Sequence, residues 1–206
     1  MISLEFFVEE QSMEIALSHL VPSILGAKDV LLNKDYGMEV FNLNGKMALL
    51  KNLPNRLRAY HRFMQHDQYL FILIDRDDDN CKELKQQLEI IAKEALLPTR
   101  TVSPNSFQVV NRIVIEELEA WYFGDVDAIK KAYPRYNPNK PAKYRNPDEI
   151  SGGTWEALGR ELAYYHRGEI LEKTRAAREI APHMNPTINQ SRSFQVFRDA
   201  LLALFP

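Results

Sequence analysis

Four stretches of the chain have the apolar patterns typical of β-strands. Residues 69–74 (YLFILI) are six apolar residues without a break, the pattern of a central parallel strand covered on both faces. Residues 2–8 end in a second apolar run, FFV, and predict another buried strand. Residues 38–43 alternate, and residues 109–115 form a fourth candidate. The pattern therefore predicts a sheet built from four strands.

Helical spacing of apolar residues separates these strands. The spacing predicts helices over residues 12–25, with Ser12 as N-cap, and over residues 80–96. A helix over residues 47–64 contains Pro54, which should kink it or split it in two. A short helix over residues 116–122 should follow the last strand and end at Gly124. Strands that alternate with helices predict an α/β fold with a mainly parallel sheet flanked by helices.

The composition changes after Gly124. Residues 133–147 contain four prolines, which indicates an ordered loop or a flexible lid. Helices are predicted after it, over residues 154–166, 169–180 and 193–205. We therefore expect an α/β core over residues 1–125 and, over residues 126–206, a Pro-rich loop and a helical C-terminal extension packed on that core.

Charge divides the chain at about the same point. Residues 1–125 carry 13 Lys and Arg against 19 Asp and Glu, whereas residues 126–206 carry 13 against 9. An acidic half suited to a metal ion would then lie beside a basic half suited to phosphate, unless the charge simply varies along the chain. Cys81 is the only cysteine, which excludes an internal disulfide and fits a cytoplasmic protein. The apolar runs are too short to span a membrane, so no membrane partner is expected.

Carboxylates follow three of the predicted strands. Glu9 comes after the first strand, Asp75 after residues 69–74 and Glu116 after residues 109–115. Ligand sites in open parallel sheets lie at the carboxyl ends of the strands, and crowded carboxylates repel one another unless a cation or protons neutralise them. Asp75 and Asp77 stand two residues apart, a spacing that can aim both at one hard cation. An all-oxygen site without Cys or paired His favours Mg²⁺ or Mn²⁺.

Several neighbouring carboxylates have a second interpretation. Asp78 and Asp79 precede a predicted helix, and capping of that helix is the favoured role for both. Glu116 and Glu119 would share one face of the short helix, whereas Glu117 would lie on another. These glutamates are either a solvated surface or part of the site. The chain contains no glycine-rich phosphate loop and no nucleophile elbow.

Two family resemblances rest on these residues. A strand that ends in Glu9 and a central strand that ends in Asp75-x-Asp77 resemble the Toprim domain of topoisomerases, primases and OLD-type nucleases. Over nearly the whole chain, the sequence is also similar to the bacterial domain-of-unknown-function 4276 family, whose members are often encoded beside an ATPase. The motifs that carry this second resemblance are residues 7–10, 45–46, 73–77, 113–121 and 192–194.

The Toprim resemblance implies a metal-dependent phosphodiester-cleaving protein, a nuclease that acts on nucleic acid in a defence or mobile-element system with a partner ATPase. It implies that Asp75 and Asp77 hold the ion and that Glu9 is the general acid and base, or shares the ion. Glu117 and Glu119 would complete this site or hold a second ion.

Candidates for phosphate contacts follow from charge alone. They are Lys46, Arg76, Arg112, Arg145 and Arg192. The alternative from another function class is a non-catalytic Toprim-fold module that binds a partner protein.

Overall fold

The computed structural model describes residues 1–137, 144–167 and 169–205. Its sheet consists of β1 (Ile2–Val8), β2 (Tyr36–Asn42), β3 (Gln68–Asp75) and β4 (Val109–Val114). All neighbouring strands are parallel, in the order β2-β1-β3-β4. The predicted α/β class with a mainly parallel sheet is confirmed, and the run at residues 69–74 lies in an interior strand, paired to β1 on one side and to β4 on the other.

Helices cover both faces of the sheet because successive residues of a strand point to opposite sides. Phe71 and Leu73 of β3 face one core, which they share with α1 (Gln11–Gly26). Leu70, Ile72 and Ile74 face a second core, formed with α2 (Lys46–Phe63) and α3 (Cys81–Glu94). Burial on both faces explains the unbroken apolar run in β3.

The predicted N-cap at Ser12 is wrong, and of the two effects predicted for Pro54 the structure excludes the split. Ser12 is not an N-cap: Glu10 precedes α1, and the Ser12 hydroxyl donates a hydrogen bond to the Glu10 carboxylate from inside the helix. Pro54 does not split α2, which runs continuously from Lys46 to Phe63. Proline removes only one backbone donor, and packing of the buried residues Leu53 and Leu57 holds the helix on the sheet.

The C-terminal part is helical, as predicted, with different bounds. After the short helix α4 (Glu119–Phe123), which follows β4, it contains α5 (Val126–Ala132), α6 (Thr154–Glu161), α7 (Ala163–His166), α8 (Lys173–Ile180) and α9 (Arg192–Leu202). The sequence pattern missed α5, whose N-cap Asp125 accepts a hydrogen bond from the Ala128 amide. Of the four prolines in residues 133–147, Pro138 and Pro141 lie outside the described residues.

Aromatic packing joins the C-terminal helices to the sheet. The Phe197 ring of α9 stacks on Trp121 at a centroid distance of 5.2 Å and packs edge-on against Phe6 and Phe71 of the sheet. The Trp121 indole donates a hydrogen bond of 2.9 Å to Ser193. The residues after 125 thus share one apolar core with the sheet. None of the described helices has the length and apolarity that crossing a membrane requires.

The strand order creates a crevice between β1 and β3. The chain leaves β1 toward β2 on one side, and β3 lies on the other side. At such a switch point the connections diverge, and open α/β sheets bind ligands just beyond the carboxyl ends of the two strands. Glu9 follows β1, and Asp75 ends β3.

Candidate functional site

Glu9 and Asp75 meet at the mouth of this crevice. The Asp75 amide donates a 2.6 Å hydrogen bond to the Glu9 carboxylate, whose residue is only 8% exposed. Burial raises the pKa of Glu9 to about 7, although the Asp75 amide and the Lys46 ammonium act in the opposite direction. Glu9 therefore exchanges a proton near neutral pH, as a general acid or base must.

Glu119 is the third carboxylate of the cluster. It is the first residue of α4, is 0% exposed, and neither of its oxygens has a hydrogen-bond partner among the described residues. Burial raises its pKa to about 8, with Lys173 opposing the change and Glu117 adding to it. Burial also raises the pKa of Asp75, and the charges on Glu9 and Glu119 raise it further. The charges on Glu9 and Glu119 thus disfavour the ionised form of Asp75.

Lys173 supplies positive charge to the cluster from the far end of the chain. Its ammonium lies 3.0 Å from Glu117 and 3.4 Å from Glu10, and its pKa is raised by Glu119, Glu117 and Glu10 against the effect of burial. Sequence reasoning missed this residue. One signal was present: Lys173 begins α8, where the helix macrodipole disfavours a cation unless acidic partners lie nearby.

Glu117, predicted as a metal ligand, has three partners. Besides Lys173, its carboxylate accepts hydrogen bonds from the Trp155 amide at 2.9 Å and the Thr154 hydroxyl at 3.2 Å. These bonds give an acceptor to hydrogen-bond donors in the first turn of α6, whose N-cap residue makes no side-chain hydrogen bond. The structure thus gives Glu117 the role of joining α6 and α8 to the end of β4.

Asp77 pairs with Lys46, and its charge raises the pKa of both Glu9 and Asp75. The Lys46 ammonium lies 2.6 Å from Asp77, 2.9 Å from Asp79 and 3.2 Å from the Arg76 carbonyl oxygen. The Asp77 side chain is 51% exposed. Asp77 thus lies at an outer acidic rim. We call Glu9, Asp75 and Glu119 the inner cluster.

The capping interpretation of Asp78 and Asp79 is wrong. Asn80 caps α3 by accepting hydrogen bonds from the Lys82 and Glu83 amides, at 3.0 and 3.4 Å. Asn80 stands directly before the first helical residue, which places its side-chain oxygen within reach of these amides. Asp79 instead pairs with Lys46.

Backbone hydrogen bonds hold together the loops that follow β3 and β4. The Arg76 amide donates to the Val114 carbonyl at 2.8 Å, and the Asp77 amide donates to the Glu116 carbonyl at 3.1 Å. Asp77 and Glu116 have φ angles of 47° and 58°, in the left-handed region. Arg76 and Glu116 also form an ion pair. Glu116 thus lies outside α4, and the prediction that it shares a helix face with Glu119 is wrong.

The remaining predicted cations lie elsewhere. Arg112 of β4 and Arg192 of α9 line one cleft on the free edge of β4. Arg145 is exposed on the loop before a short 3-10 turn, Pro147–Glu149. Of the five predicted phosphate contacts, the structure places Lys46 and Arg76 at the carboxyl end of the sheet.

The inner cluster offers only oxygen ligands, the kind that Mg²⁺ and Mn²⁺ prefer. No group of three or more Asp, Glu, His or Cys side chains in the described ranges is placed so that it could hold a metal ion. The buried oxygens of Glu119 nevertheless lack a hydrogen-bond partner in the described part of the chain. Two carboxylates can hold Mg²⁺ together with water, so a divalent ion with Asp75 and Glu119 as ligands and Glu9 beside them stays a prediction.

Comparison with known proteins gives a family but no function. The model of a family described as "Domain of unknown function (DUF4276)" matches residues 8–202, nearly the whole chain. No curated protein and no solved structure matches the chain. The resemblance to Toprim domains stays a prediction.

Proposed function

The chain belongs to the family described as domain of unknown function (DUF4276), and from that premise we propose that its inner cluster is a Mg²⁺- or Mn²⁺-dependent centre for phosphodiester cleavage. The protein would then be a nuclease of Toprim-like type. The partner ATPase implied by the family resemblance belongs to the same proposal.

One observation carries the proposal: the Glu119 carboxylate is fully buried and has no hydrogen-bond partner among the described residues. Burying a polar group without a partner costs free energy, and a buried charge costs more. A position that served stability alone would be better filled by an apolar residue. Strongly raised pKa values in a cleft are typical of functional sites.

The residues divide the chemistry among them. A bound divalent ion would polarise the phosphodiester and lower the pKa of an attacking water. Asp75 and Glu119 would hold it, and Glu9, with its pKa of about 7, would take a proton from water or return one to the leaving oxygen. Lys46 and Lys173 flank the cluster and would neutralise phosphate oxygens.

The test is a nicking assay on supercoiled DNA, single-stranded DNA and single-stranded RNA. Each substrate is incubated with Mg²⁺, Mn²⁺ or EDTA, in the presence and absence of the proposed partner ATPase. We expect cleavage only with metal, and a loss of about 100-fold or more in Glu119→Gln, because a ligand is lost. Glu94→Gln is the matched control, since Glu94 is exposed at the end of α3. Metal-independent cleavage, or full activity in Glu119→Gln, would contradict the proposal.

A second candidate, the protein-binding module, is favoured by an apolar groove at the other end of α3. Ile90, Leu96 and Val102 line this groove and are 46%, 71% and 74% exposed. Exposed apolar patches of this kind mark protein interaction sites. If the protein is a non-catalytic protein-binding module, Glu119→Gln should leave partner binding intact. No metal ion should then support cleavage of nucleic acid by the native chain.

A further inference from the structure

A cleft of about 540 Å³ runs along the free edge of β4. Its walls are the first turns of α3 and α9 and the outer edge of the strand. Arg112 projects from β4 into this cleft, and Arg192 enters it from the first residue of α9. Two guanidinium groups from distant parts of the chain thus line one concave surface.

Neither guanidinium forms an ion pair with a carboxylate of the described residues. Arg112 is partly buried, donates one hydrogen bond of 3.0 Å to the Asn111 carbonyl, and has a buried Nε with no hydrogen-bond partner among the described residues. In the same part of the chain, Arg192 has a 3.5 Å contact with Gln195. Burial and the nearby Arg100 lower the pKa of Arg112 to about 10, with the Glu89 charge opposing them, so the group is still charged at neutral pH. A partly buried cation without an ion pair is costly, which indicates a further anionic partner.

The other charged groups of the cleft leave these arginines unbalanced. Lys85 pairs with Glu89 at 2.9 Å and donates to the Asn111 carbonyl at 2.7 Å. Asp148 accepts hydrogen bonds from the Ser191 hydroxyl and the Ser193 amide, at 2.7 and 3.0 Å, and so satisfies the start of α9. Glu149 is exposed at the rim.

The cleft adjoins a second, acidic cleft. Ile115 lines the basic cleft, and the next residue, Glu116, lines the acidic cleft together with Asp77 and Glu117. The two clefts thus meet at consecutive residues of the chain.

We propose that the cleft lined by Arg112 and Arg192 binds the phosphodiester backbone of a nucleic-acid strand beside the acidic cleft of Asp77, Glu116 and Glu117. This inference rests on the proposed function, because it assigns the substrate's path. The planar fork of a guanidinium fits two phosphate oxygens at once, and two arginines suit successive phosphates of one strand. Backbone contacts of this kind give affinity without reading sequence.

The test measures binding without cleavage. Fluorescence anisotropy of labelled single-stranded DNA, duplex DNA and single-stranded RNA is recorded with the full chain in EDTA at several salt concentrations. We expect Arg112→Gln and Arg192→Gln each to weaken binding about threefold to tenfold and to lower the slope of log K against log salt by about 1. Arg58→Gln, which removes the same charge from the exposed side of α2, should change neither.

Two further variants keep the result interpretable. Arg112→Lys keeps the positive charge but loses the planar guanidinium. The slope of log K against log salt should therefore equal that of the native chain, while the affinity recovers only in part. Arg192 is exposed, so Arg192→Gln should fold normally even if Arg112→Gln does not. Melting temperatures of all variants report on folding.

The outcomes separate this inference from the proposed function. Equal affinity and salt slope in the arginine variants, Arg58→Gln and the native chain would overturn the cleft, as would the absence of any binding by the native chain. If the native chain cleaves with metal while the arginine variants bind normally, only the cleft is wrong. If the variants lose binding but no metal supports cleavage, the cleft stands and the metal centre falls.

Discussion

Glu89 and Glu119 differ in how the protein surrounds a shielded carboxylate. Glu89 of α3 accepts hydrogen bonds from Asn111 at 2.9 Å, from Thr101 at 3.1 Å and from Thr99, and pairs with Lys85 at 2.9 Å. Glu119 of α4 is more deeply buried and has no hydrogen-bond partner among the described residues. The Glu89 carboxylate ties α3 to the sheet, whereas the Glu119 carboxylate is buried near Asp75 and Lys173.

Their pKa values move in opposite directions. Burial acts to raise the pKa of both, but at Glu89 the bonds from Lys85, Thr99 and Asn111 outweigh it and the pKa falls. At Glu119 burial prevails and the pKa rises to about 8. The same chain thus satisfies one glutamate and leaves another in need of a partner. We infer that Glu89 serves stability and that Glu119 serves function.

The largest expected effect is at Glu89. Glu89→Gln should lower the free energy of unfolding at pH 7 by about 2–3 kcal/mol, because it removes the charge opposite Lys85 and turns an amide group toward hydrogen-bond donors. Urea unfolding followed by circular dichroism measures this. Glu94→Gln, on an exposed site of the same helix, should cost less than about 0.5 kcal/mol.

The sign of the pH dependence sharpens this prediction. Because the pKa of Glu89 is lowered in the folded state, its contribution is complete above the ordinary value of 4.5 and is lost as the pH falls through the folded value. The difference between the native chain and Glu89→Gln should therefore shrink below about pH 4.5. A difference that stays constant into acid would contradict the assignment of Glu89 as a stabilising anion.

A smaller effect of opposite sign is expected at Glu119. The pKa of Glu119 is raised in the folded state. The contribution of its neutral form to the free energy of unfolding is therefore complete below pH 4.5 and is lost as the pH rises through about 8. In EDTA, Glu119→Gln should match the native chain near pH 4.5 and exceed it at pH 9 by about 1–3 kcal/mol, since its neutral amide avoids burying a charge. Urea unfolding at the two pH values measures this. If Glu119→Gln were the less stable protein at pH 9, the carboxylate would have a stabilising partner and the contrast with Glu89 would disappear.

The contrast also explains which parts of the molecule the sequence could predict. The strands, and the interior position of residues 69–74, follow from apolar runs, since burial on two faces leaves a local pattern. Glu9 and Asp75 could be placed together because strand ends meet at one edge of a parallel sheet. Lys173 could not be placed at this site from the sequence. Its contact with Glu117, a residue 56 positions earlier in the chain, depends on how α8 packs.

Side-chain partners were the least predictable feature. The Asp75-x-Asp77 spacing predicts two carboxylates aimed at one ion, and in the structure Asp77, with its left-handed φ, pairs with Lys46. Glu119 is one of three glutamates after a strand, and no local pattern shows that its oxygens lack a hydrogen-bond partner among the described residues. The helix α5 has seven residues, too few for a repeated apolar spacing to predict it.

The smallest effect in this comparison is the response to metal. A ligand that binds only the folded chain stabilises it by about 1.4 kcal/mol when its concentration is ten times the Kd, which for a chain of this size raises Tm by about 3–6 °C. We expect this rise with millimolar Mg²⁺ or Mn²⁺ in the native chain and in Glu89→Gln, measured by differential scanning fluorimetry. Glu119→Gln should show none, because its neutral amide is a poor ligand for a hard cation.

K⁺ at equal ionic strength controls for screening of the acidic rim by salt, which divalent ions produce without binding at the inner cluster. An equal rise in the native chain and in Glu119→Gln would place the ion at the rim, around Asp77, rather than at the buried carboxylate. The difference between these two variants therefore tests whether Glu119 lacks a partner because it binds a metal ion.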